Sequence, residues 1–340
     1  MKKYVVAVVG ASGAVGEELF KVLEERNFPI KKLVPLASSK SAGNEIEFFG
    51  KSYRILETTH DIFKQEGVEI AFFSAGGNVS AEFAPSAVKA GALVIDNTSH
   101  FRMDPDVPLV VPEVNPEDIA LWKQKGIIAN PNCSTIQMVQ VLAPLHRVFD
   151  IQRVDVSTYQ AVSGAGKKGM EELVMQMQKF FAFELEACES KAFPHRIALN
   201  LIPHIDVFMP NDYTKEEIKM VKESNKILHS DFALSATCVR VPVLRSHSEA
   251  ITIRFSKEIE ATRARKILKE APNIVVVDKP EESLYPMPIL ATDTDETYVG
   301  RIRNDLYDKK ILHLWCVADQ IRVGAATNAV RIAQKWIESV

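Results

Sequence analysis

A run of apolar residues followed at once by evenly spaced glycines opens the chain, and it most limits how the chain can fold. Val5 to Val9 contains only valine and alanine, and Gly10, Gly13 and Gly16 come directly after it. A continuous β-branched run predicts a strand that is covered on both faces, as in a parallel sheet. Glu17 to Arg26 then predicts a helix with an apolar side. The chain therefore begins as a buried strand, a glycine loop and a helix.

These glycines form a dinucleotide-binding fingerprint in the variant spacing G-x-x-G-x-x-G. Gly10 would permit the tight turn, Gly13 would let the backbone approach a pyrophosphate, and Gly16 would let the helix pack closely on the strand. The first N–H groups of the helix would bind the pyrophosphate. A tight strand-to-helix turn without any ligand remains an alternative on this pattern alone.

The end of the second predicted strand, Leu33 to Ala37, bears on which dinucleotide would bind. Cofactors without a 2′-phosphate usually meet an aspartate or glutamate there, about 20 residues past the glycines. This chain has Ser38, Ser39, Lys40 and Ser41 instead. Hydroxyls and a cation without a carboxylate favour NADP over NAD, provided that the glycine loop binds a dinucleotide.

Alternating strands and helices predict the fold class of the first half. Further apolar strands are predicted at 70–73, 93–96 and 127–129, with a helix at 80–90. Such alternation is typical of βαβ units and a parallel sheet. The first half is therefore predicted to be a Rossmann-like domain.

The second half instead shows long segments that alternate between apolar and polar residues. Strands are predicted at 154–160, 238–244 and 251–255, and helices at 168–186, 215–228, 261–270 and 321–337. Period-two strands fit a mixed sheet with one covered face. The predicted fold is α/β, with an N-terminal Rossmann-like parallel-sheet domain (1–132 and 322–340) and a C-terminal α+β domain with a mixed sheet (133–321).

Composition narrows the classes of partner and site. The chain of 340 residues has 41 Lys and Arg against 44 Asp and Glu, a net charge of −3, so we expect no nucleic-acid or membrane partner. The cysteines at 133, 188, 238 and 316 lie far apart without a Cys-x-x-Cys pair, so we expect neither a disulfide framework nor a metal site. Free thiols suit a cytoplasmic location. The cysteines other than Cys133 are expected to be core residues.

Cys133 differs from the other cysteines in its surroundings. It follows Asn130, Pro131 and Asn132 at the end of a predicted strand, and a helix is predicted to start there. A helix N-terminus lowers a thiol pKa, and at an ordinary pKa near 8.5 only about 3% is thiolate at pH 7. A reactive thiol beside a nucleotide-binding half suggests hydride chemistry through a covalent acyl intermediate.

Four segments together resemble the aspartate-semialdehyde dehydrogenase family. They are Gly10-Ala-Ser-Gly-Ala-Val-Gly16, Asn130-Pro-Asn-Cys-Ser-Thr135, Tyr159-Gln-Ala-Val-Ser-Gly-Ala-Gly166 and Arg240-Val-Pro-Val-Leu-Arg-Ser-His247. The resemblance spans essentially the whole chain. It implies a cytoplasmic oxidoreductase that uses NADPH to convert L-aspartyl 4-phosphate, through a cysteine thioester, to L-aspartate 4-semialdehyde and phosphate. This reaction serves lysine, threonine, methionine and diaminopimelate biosynthesis, and family members form homodimers or homotetramers through the second, catalytic domain.

The resemblance also implies roles for individual residues. Cys133 would be the nucleophile, Gln160 would orient the acyl group, and His247 would be the general acid/base. Arg240 would bind the α-carboxylate and Glu216 the ammonium, while Arg102 and Lys219 would bind phosphate. The implied cofactor contacts are Gly10, Ser12, Gly13, Ala14, Val15, Gly16, Lys40, Ser41, Ser163, Gly164 and Asn328.

Several readings of these residues stay open. Glu216 and Lys219 are three apart on a predicted helix, so they could instead form a solvated ion pair. Arg240 and His247 are seven apart and would face opposite sides of one strand, so a turn near 242–246 must bring them together. Arg245 is interpreted as a surface cation.

Two other functions are considered. A related reductase of N-acetylglutamyl phosphate would carry Pro-Gly-Cys at its thiol, whereas this chain has Pro-Asn-Cys. A catalytically silent NADP-binding homologue should have lost the thiol, the amide or the histidine, and Cys133, Gln160 and His247 are all present.

Overall fold

A computed structural model describes residues 2–184 and 189–339. Cys188 and the last two positions of the helix predicted at 168–186 lie outside the described residues, but the helix already ends at Phe181, so its predicted end is wrong. The chain divides into two compact units, Met1–Asn132 with Ala325–Val340, and Cys133–Gly324. The domains expected from the sequence, 1–132 with 322–340 and 133–321, remain a prediction.

The described residues form the following strands and helices. The strands are β1 (Tyr4–Val9), β2 (Ile30–Ala37), β3 (Glu45–Phe48), β4 (Lys51–Arg54), β5 (Leu56–Glu57), β6 (Ile70–Phe73), β7 (Leu93–Asp96), β8 (Ile127–Ala129), β9 (Ile151–Gln160), β10 (Ala233–Arg240), β11 (His247–Phe255), β12 (Ile274–Val276), β13 (Thr297–Asn304) and β14 (Ile311–Ala318). The α-helices are α1 (Ala14–Glu25), α2 (Ile62–Glu66), α3 (Gly77–Lys89), α4 (Cys133–Phe149), α5 (Lys167–Phe181), α6 (Lys215–Leu228), α7 (Ala261–Glu270), α8 (Pro288–Ala291) and α9 (Thr327–Ser339).

The first unit is built on a parallel sheet with the strand order β5-β2-β1-β6-β7-β8. The order of the strands reverses beside β1, because β2 and β5 follow on one side and β6 to β8 on the other. Ligands of such sheets bind outside the carboxyl ends of the strands at this reversal. The parallel pairing of all six strands confirms the predicted parallel sheet. Since the glycine loop lies directly after β1, it occupies the ligand-binding end of this sheet.

The core of the first unit explains why its elements form where they do. Every residue of β1 is buried, as expected for a strand with helices on both faces. Leu19, Val22 and Leu23 form the buried side of α1, which the sequence pattern predicted. Ala329, Val330 and Trp336 of α9 belong to the same core cluster, so the C-terminal helix completes the first unit.

The second unit is built on a mixed sheet with the strand order β10-β9-β11-β14-β13-β12. The outer pairs β9–β10 and β12–β13 are parallel, and the remaining pairs are antiparallel. Residues of α4, α6 and α7 share one apolar cluster with the inward side chains of these strands. The prediction of a mixed sheet with a covered face is therefore confirmed.

Two further predicted elements of the second half are wrong in their bounds. The strand predicted at 238–244 is β10, which ends at Arg240, because Pro242 has no N–H to continue the ladder. The helix predicted at 321–337 begins as a π-helical turn, Arg322–Ala326, and continues as α9 from Thr327. Strands β12 to β14 were not predicted.

Two further observations concern the free cysteines and the length of the helices. Cys238 and Cys316 are fully buried free thiols, which confirms the core interpretation for both. Within the described ranges, the helices are all too short or too polar to cross a bilayer.

Candidate active site

The glycine loop has the geometry of a phosphate cradle. Gly10 has φ +97°, a left-handed conformation that side chains other than glycine rarely adopt. A Cβ on Gly16 would lie 2.1 Å from the Gly10 carbonyl oxygen, so only glycine lets α1 approach β1 this closely. The N-cap of α1, Gly13, offers no side-chain cap, which leaves the start of the helix open to an anion. Ala14 and Val15 begin α1 and are half-buried.

The turn after β2 lies beside this loop. The Ser12 hydroxyl is 3.3 Å from the Ser41 hydroxyl, and Lys40 is exposed between β2 and Ser41. Ala37, the last residue of β2, is followed by hydroxyls and a cation rather than by a carboxylate. This donor set fits a phosphate group on a ribose better than a free 2′-hydroxyl.

Asn328 presents a buried acceptor that the protein does not use. Its Nδ2 donates to the Val110 carbonyl at 3.0 Å and to Asn130 Oδ1 at 2.6 Å. Its Oδ1 is buried and completes no hydrogen bond within the described part of the chain. An orphaned buried oxygen fits a ligand amide donor, such as the carboxamide of a nicotinamide.

Arg102 is also part of the first unit. Its guanidinium is buried and donates from Nε to the Asn130 carbonyl at 2.9 Å and from Nη2 to the Asn97 carbonyl at 2.8 Å. These bonds fix the side chain at the end of β8. The other phosphate-binding candidate, Lys219, lies in the second unit.

In the second unit, the ends of three strands bring candidate residues together. Gln160 ends β9 and is in register with Arg240, which ends β10. His247 begins β11, and residues 241–246 form the turn expected from the sequence. Arg240 Nη1 donates to the Ala161 carbonyl at 2.7 Å, so the backbone after Gln160 orients the guanidinium.

The His247 ring is held in one protonation state. It is fully buried, and Nδ1 accepts a hydrogen bond from the Ala161 N–H at 3.0 Å. The pKa of His247 lies well below 6.5, because burial disfavours the imidazolium and Arg240 adds a like charge. With Nδ1 accepting, the neutral ring carries its proton on Nε2, and Nε2 completes no hydrogen bond to a described residue. His247 therefore offers an uncommitted donor.

Cys133 is the first residue of α4 and is partly exposed. A Cβ on Gly324 would lie 2.6 Å from the Cys133 Cβ, so the backbone of Gly324 passes directly against the thiol residue. The pKa of Arg240 is lowered by burial, and the negative charges of Glu216 and Cys133 oppose this shift. Cys133 is thus close enough to the guanidinium for a thiolate at this position to interact with its charge.

Glu216 and Lys219 do form an ion pair, but it is not a solvated one. Lys219 Nζ lies 3.1 Å from Glu216 Oε2 and 2.7 Å from Asp206 Oδ2, and Glu216 is buried in the first turn of α6. Burial would lower the pKa of Lys219, but the two carboxylates outweigh it and raise the pKa. Gln160 Nε2 lies 3.5 Å from Glu216 Oε1, which joins this pair to the strand ends.

The segment after β9 completes the group. Ser163 is buried and accepts a hydrogen bond from Gln320. Gly164 is exposed, and a Cβ there would lie 2.7 Å from Arg240 Nη1 and 3.3 Å from His247 Cε1. Only a glycine at this position leaves room for the guanidinium and the imidazole as they are placed.

Some participants were not found from the sequence. Ala161 acts through its backbone, Asp206 lies far along the chain from Lys219, and no pattern marks Gly324.

The interpretation of Arg245 as a surface cation is wrong. Its side chain is mostly buried and lies 2.9 Å from Asp293 and 2.7 Å from Asp319, which make it part of the fold.

Known proteins resemble this chain over its whole length. Residues 5–122 match the family model described as semialdehyde dehydrogenase, NAD binding domain, and residues 142–323 match semialdehyde dehydrogenase, dimerisation domain. The chain is 67% identical to an aspartate-semialdehyde dehydrogenase of Campylobacter jejuni, over 99% of this chain and 98% of that protein.

Solved structures are similar over the same length. Aspartate semialdehyde dehydrogenase II from Vibrio cholerae, complexed with ASA, has a TM-score of 0.96 and 46% identity over 99% of both chains. Aspartate semialdehyde dehydrogenase with NADP from Candida albicans has a TM-score of 0.75 and 27% identity, again over 99% of both chains. The resemblance inferred from the four sequence segments is confirmed, and the chain belongs to the aspartate-semialdehyde dehydrogenase family of oxidoreductases.

Proposed function

We propose that this protein uses NADPH to convert L-aspartyl 4-phosphate to L-aspartate 4-semialdehyde and inorganic phosphate, with Cys133 as the nucleophile. The observation that carries the proposal is the grouping in the second unit of a helix-terminal thiol with Gln160, Arg240 and a buried neutral His247. Such a group has the nucleophile, the acyl-orienting amide, the carboxylate binder and the proton donor that the reaction needs.

The first step is acyl transfer to sulfur. The Cys133 thiolate attacks the acyl carbon, the S–C bond forms, the C–O bond to phosphate breaks, and phosphate leaves with the bonding electrons. Its position at the start of α4 and its interaction with Arg240 favour the thiolate. Gln160 would hold the acyl group for this attack with a neutral amide, which does not disturb the thiolate.

The second step returns the thiolate. When bound, the reduced nicotinamide supplies a hydride for the thioester carbon. His247 would donate a hydrogen bond from Nε2 to the oxygen that becomes negative, because the Ala161 N–H already occupies Nδ1. When the carbonyl re-forms, the C–S bond breaks, the aldehyde leaves and Cys133 is again a thiolate.

The charged ends of the substrate would be matched one by one. Arg240 would bind the α-carboxylate, because its guanidinium is oriented by Ala161 and can make paired hydrogen bonds. Glu216 would bind the ammonium, and Lys219 would bind phosphate by exchanging one carboxylate partner for the substrate anion. Arg102 would be the second phosphate cation.

The residues of the first unit fit NADP. Gly10, Gly13 and Gly16 would hold the pyrophosphate with the start of α1, including Ala14 and Val15. Ser12, Lys40 and Ser41 would bind the 2′-phosphate, and Asn328 Oδ1 would accept a hydrogen bond from the carboxamide. Ser163 and Gly164 of the second unit are proposed as further cofactor contacts.

We also infer the setting in which the enzyme works. The match of residues 142–323 to a dimerisation domain supports a homodimer, and a homotetramer would be two such dimers. A nucleophilic thiol and a reduced nicotinamide both suit the reducing cytoplasm. The product would supply lysine, threonine, methionine and diaminopimelate biosynthesis.

A spectrophotometric assay in the oxidative direction tests the proposed function. We expect reduction of NADP when aspartate semialdehyde and phosphate are supplied together, and no sustained turnover without phosphate. Cys133→Ser should fold and bind NADP but lose nearly all activity, whereas Cys238→Ser is the control for a buried thiol. Unchanged turnover of Cys133→Ser, or faster reduction of N-acetylglutamyl phosphate than of aspartyl phosphate, would overturn the proposal.

A further inference from the structure

A fully buried carboxyl lies next to the proposed catalytic groups and has no role in the reaction described above. Glu249 is the third residue of β11, which begins at His247, and it is 0% exposed. Its side chain lies on the same face of the strand as Ile251 and Ile253, which pack in one core cluster with residues of α4. A carboxyl in this core needs a specific reason to be there.

The side chain that faces this carboxyl is Gln137, one turn after Cys133 on α4. Gln137 is fully buried, and its Nε2 is directed to the His247 carbonyl oxygen at 3.5 Å. The Gln137 amide lies close enough to Glu249 to lower its pKa, but Gln137 Oε1 and both carboxyl oxygens complete no hydrogen bond of ordinary geometry within residues 2–184 and 189–339. Buried acceptors without a well-placed donor destabilise the folded chain, so this arrangement calls for a donor between the two side chains.

A proton on Glu249 would supply the missing donor, because the carboxyl then donates as well as accepts a hydrogen bond. The titratable groups that face Glu249 are the thiols of Cys316 on β14 and Cys238 on β10, and neither is a cation. Burial raises the pKa of Glu249 well above 4.5, and the Gln137 amide opposes this only in part. Nothing charged among its described neighbours favours the ionised form.

We propose that Glu249 is held as a neutral carboxylic acid that donates a hydrogen bond to Gln137 Oε1, and that this pair positions the reacting groups. The pair would tie α4, which begins at Cys133, to β11, which begins at His247. Gln137 Nε2 would then donate to the His247 carbonyl oxygen, and Gln137 Oε1 would accept from Glu249, so that the amide has one orientation. Glu249 is thus a positioning residue, and the inference rests on the proposed function for the roles of Cys133 and His247.

The protonation state can be measured without any assay of activity. An infrared difference spectrum between the wild-type protein and Glu249→Gln should show the carbonyl stretch of one protonated carboxylic acid at neutral pH, present only in the wild type. Absence of this band would mean that Glu249 is ionised and would overturn the proposal.

The positioning role is tested with variants of matched size. Glu249→Gln keeps a donor for Gln137 Oε1, whereas Glu249→Met keeps the volume and removes the donor. We expect Glu249→Gln to retain kcat within about threefold, and Glu249→Met to lose about tenfold or more in kcat with little change in KM for NADP. Ile253→Val, on the same face of β11, is the control for a purely apolar loss and should leave kcat unchanged.

The other outcomes are also decisive. Equal loss of kcat in Glu249→Gln and Glu249→Met would mean that the carboxylate itself is needed, and it would overturn the neutral acid. A Glu249→Met variant with the kcat of Ile253→Val would remove the positioning role. If wild-type protein does not act on aspartate semialdehyde, the proposed function fails, and the infrared band still decides the state of Glu249. The same band decides it if Glu249→Met does not fold.

Discussion

Single backbone groups set the chemistry of the proposed site at the residue scale. The Ala161 N–H and carbonyl meet His247 Nδ1 and Arg240 Nη1, so one peptide segment orients both side chains. This leaves His247 Nε2 as the donor and keeps the ring neutral. The proposed role of His247 therefore depends on the orientation that the Ala161 backbone gives its ring.

The depressed pKa of His247 predicts a stability difference that depends on pH. The folded chain resists protonation, so the unfolded chain binds more protons as the pH falls below about 6.5. The contribution of the neutral ring is fully present above that pH and is lost on acidification. Relative to His247→Gln, the wild type should lose up to about 1.4 kcal/mol of unfolding free energy per pH unit between pH 6.5 and 5. Urea unfolding at several pH values measures this, and a constant difference would contradict it.

A second residue-scale prediction concerns Lys40 and the cofactor. If Lys40 binds the 2′-phosphate, Lys40→Asp should weaken NADPH binding by about 10- to 100-fold, as for loss of a hydrogen bond to a charged group. NADH binding should change by less than about threefold, because NADH has no group there. Fluorescence titration of both cofactors checks this, with Lys51→Asp on β4 as the matched charge change. Equal losses for the two cofactors would remove Lys40 from the phosphate site.

The elements depend on glycines where two backbones meet. α1 approaches β1 across Gly16, and the turn before α9 approaches α4 across Gly324. In both cases the close approach of two backbone segments depends on the lack of one Cβ. Substitutions there should move elements rather than remove single contacts.

Gly16→Ala tests the first of these contacts. The new Cβ would lie 2.1 Å from the Gly10 carbonyl oxygen, so α1 must shift away from β1. We expect a loss of about 1–3 kcal/mol of stability and of most NADP binding. Gly77→Ala at the start of α3 is the control, since its nearest neighbour would be His100 Cβ at 3.9 Å. Thermal unfolding and cofactor titration measure both, and equal behaviour of the two variants would contradict the cradle.

Gly324→Ala tests the second contact. Its Cβ would lie 2.6 Å from the Cys133 Cβ, so the thiol must move. A displacement of about 1 Å can cost about 100-fold in rate, so kcat should fall by one to two orders of magnitude. Steady-state kinetics with Gly77→Ala as the control checks this, and a normal kcat would show that the contact does not position the thiol.

At the scale of the whole molecule, the sequence predicts the first unit better than the second. β6, β7 and β8 have the predicted bounds, because strands covered on both faces are continuous apolar runs. β13 was missed because Arg301 and Arg303 interrupt its apolar residues, and because its pairing with β14 shifts register between Gly300 and Arg303.

The residues of the candidate site likewise differ in how far the sequence predicts them. The thiol at a helix start and the glycine loop have local signals, so residues near them could be proposed from the sequence. Arg245 and Glu249 are residue types that usually predict exposure, yet Asp319 pairs with the first and the second is fully buried. Burial of a charged side chain is decided by tertiary partners, which the linear pattern does not contain.

The central claim is that Cys133 carries the acyl group, and mass spectrometry tests it most directly. Enzyme mixed with aspartate semialdehyde and NADP without phosphate is quenched in acid and digested. The account predicts one acyl adduct, on the peptide that contains Cys133, and no adduct in Cys133→Ser. An adduct on another side chain, or no adduct while NADPH still forms, would contradict the account.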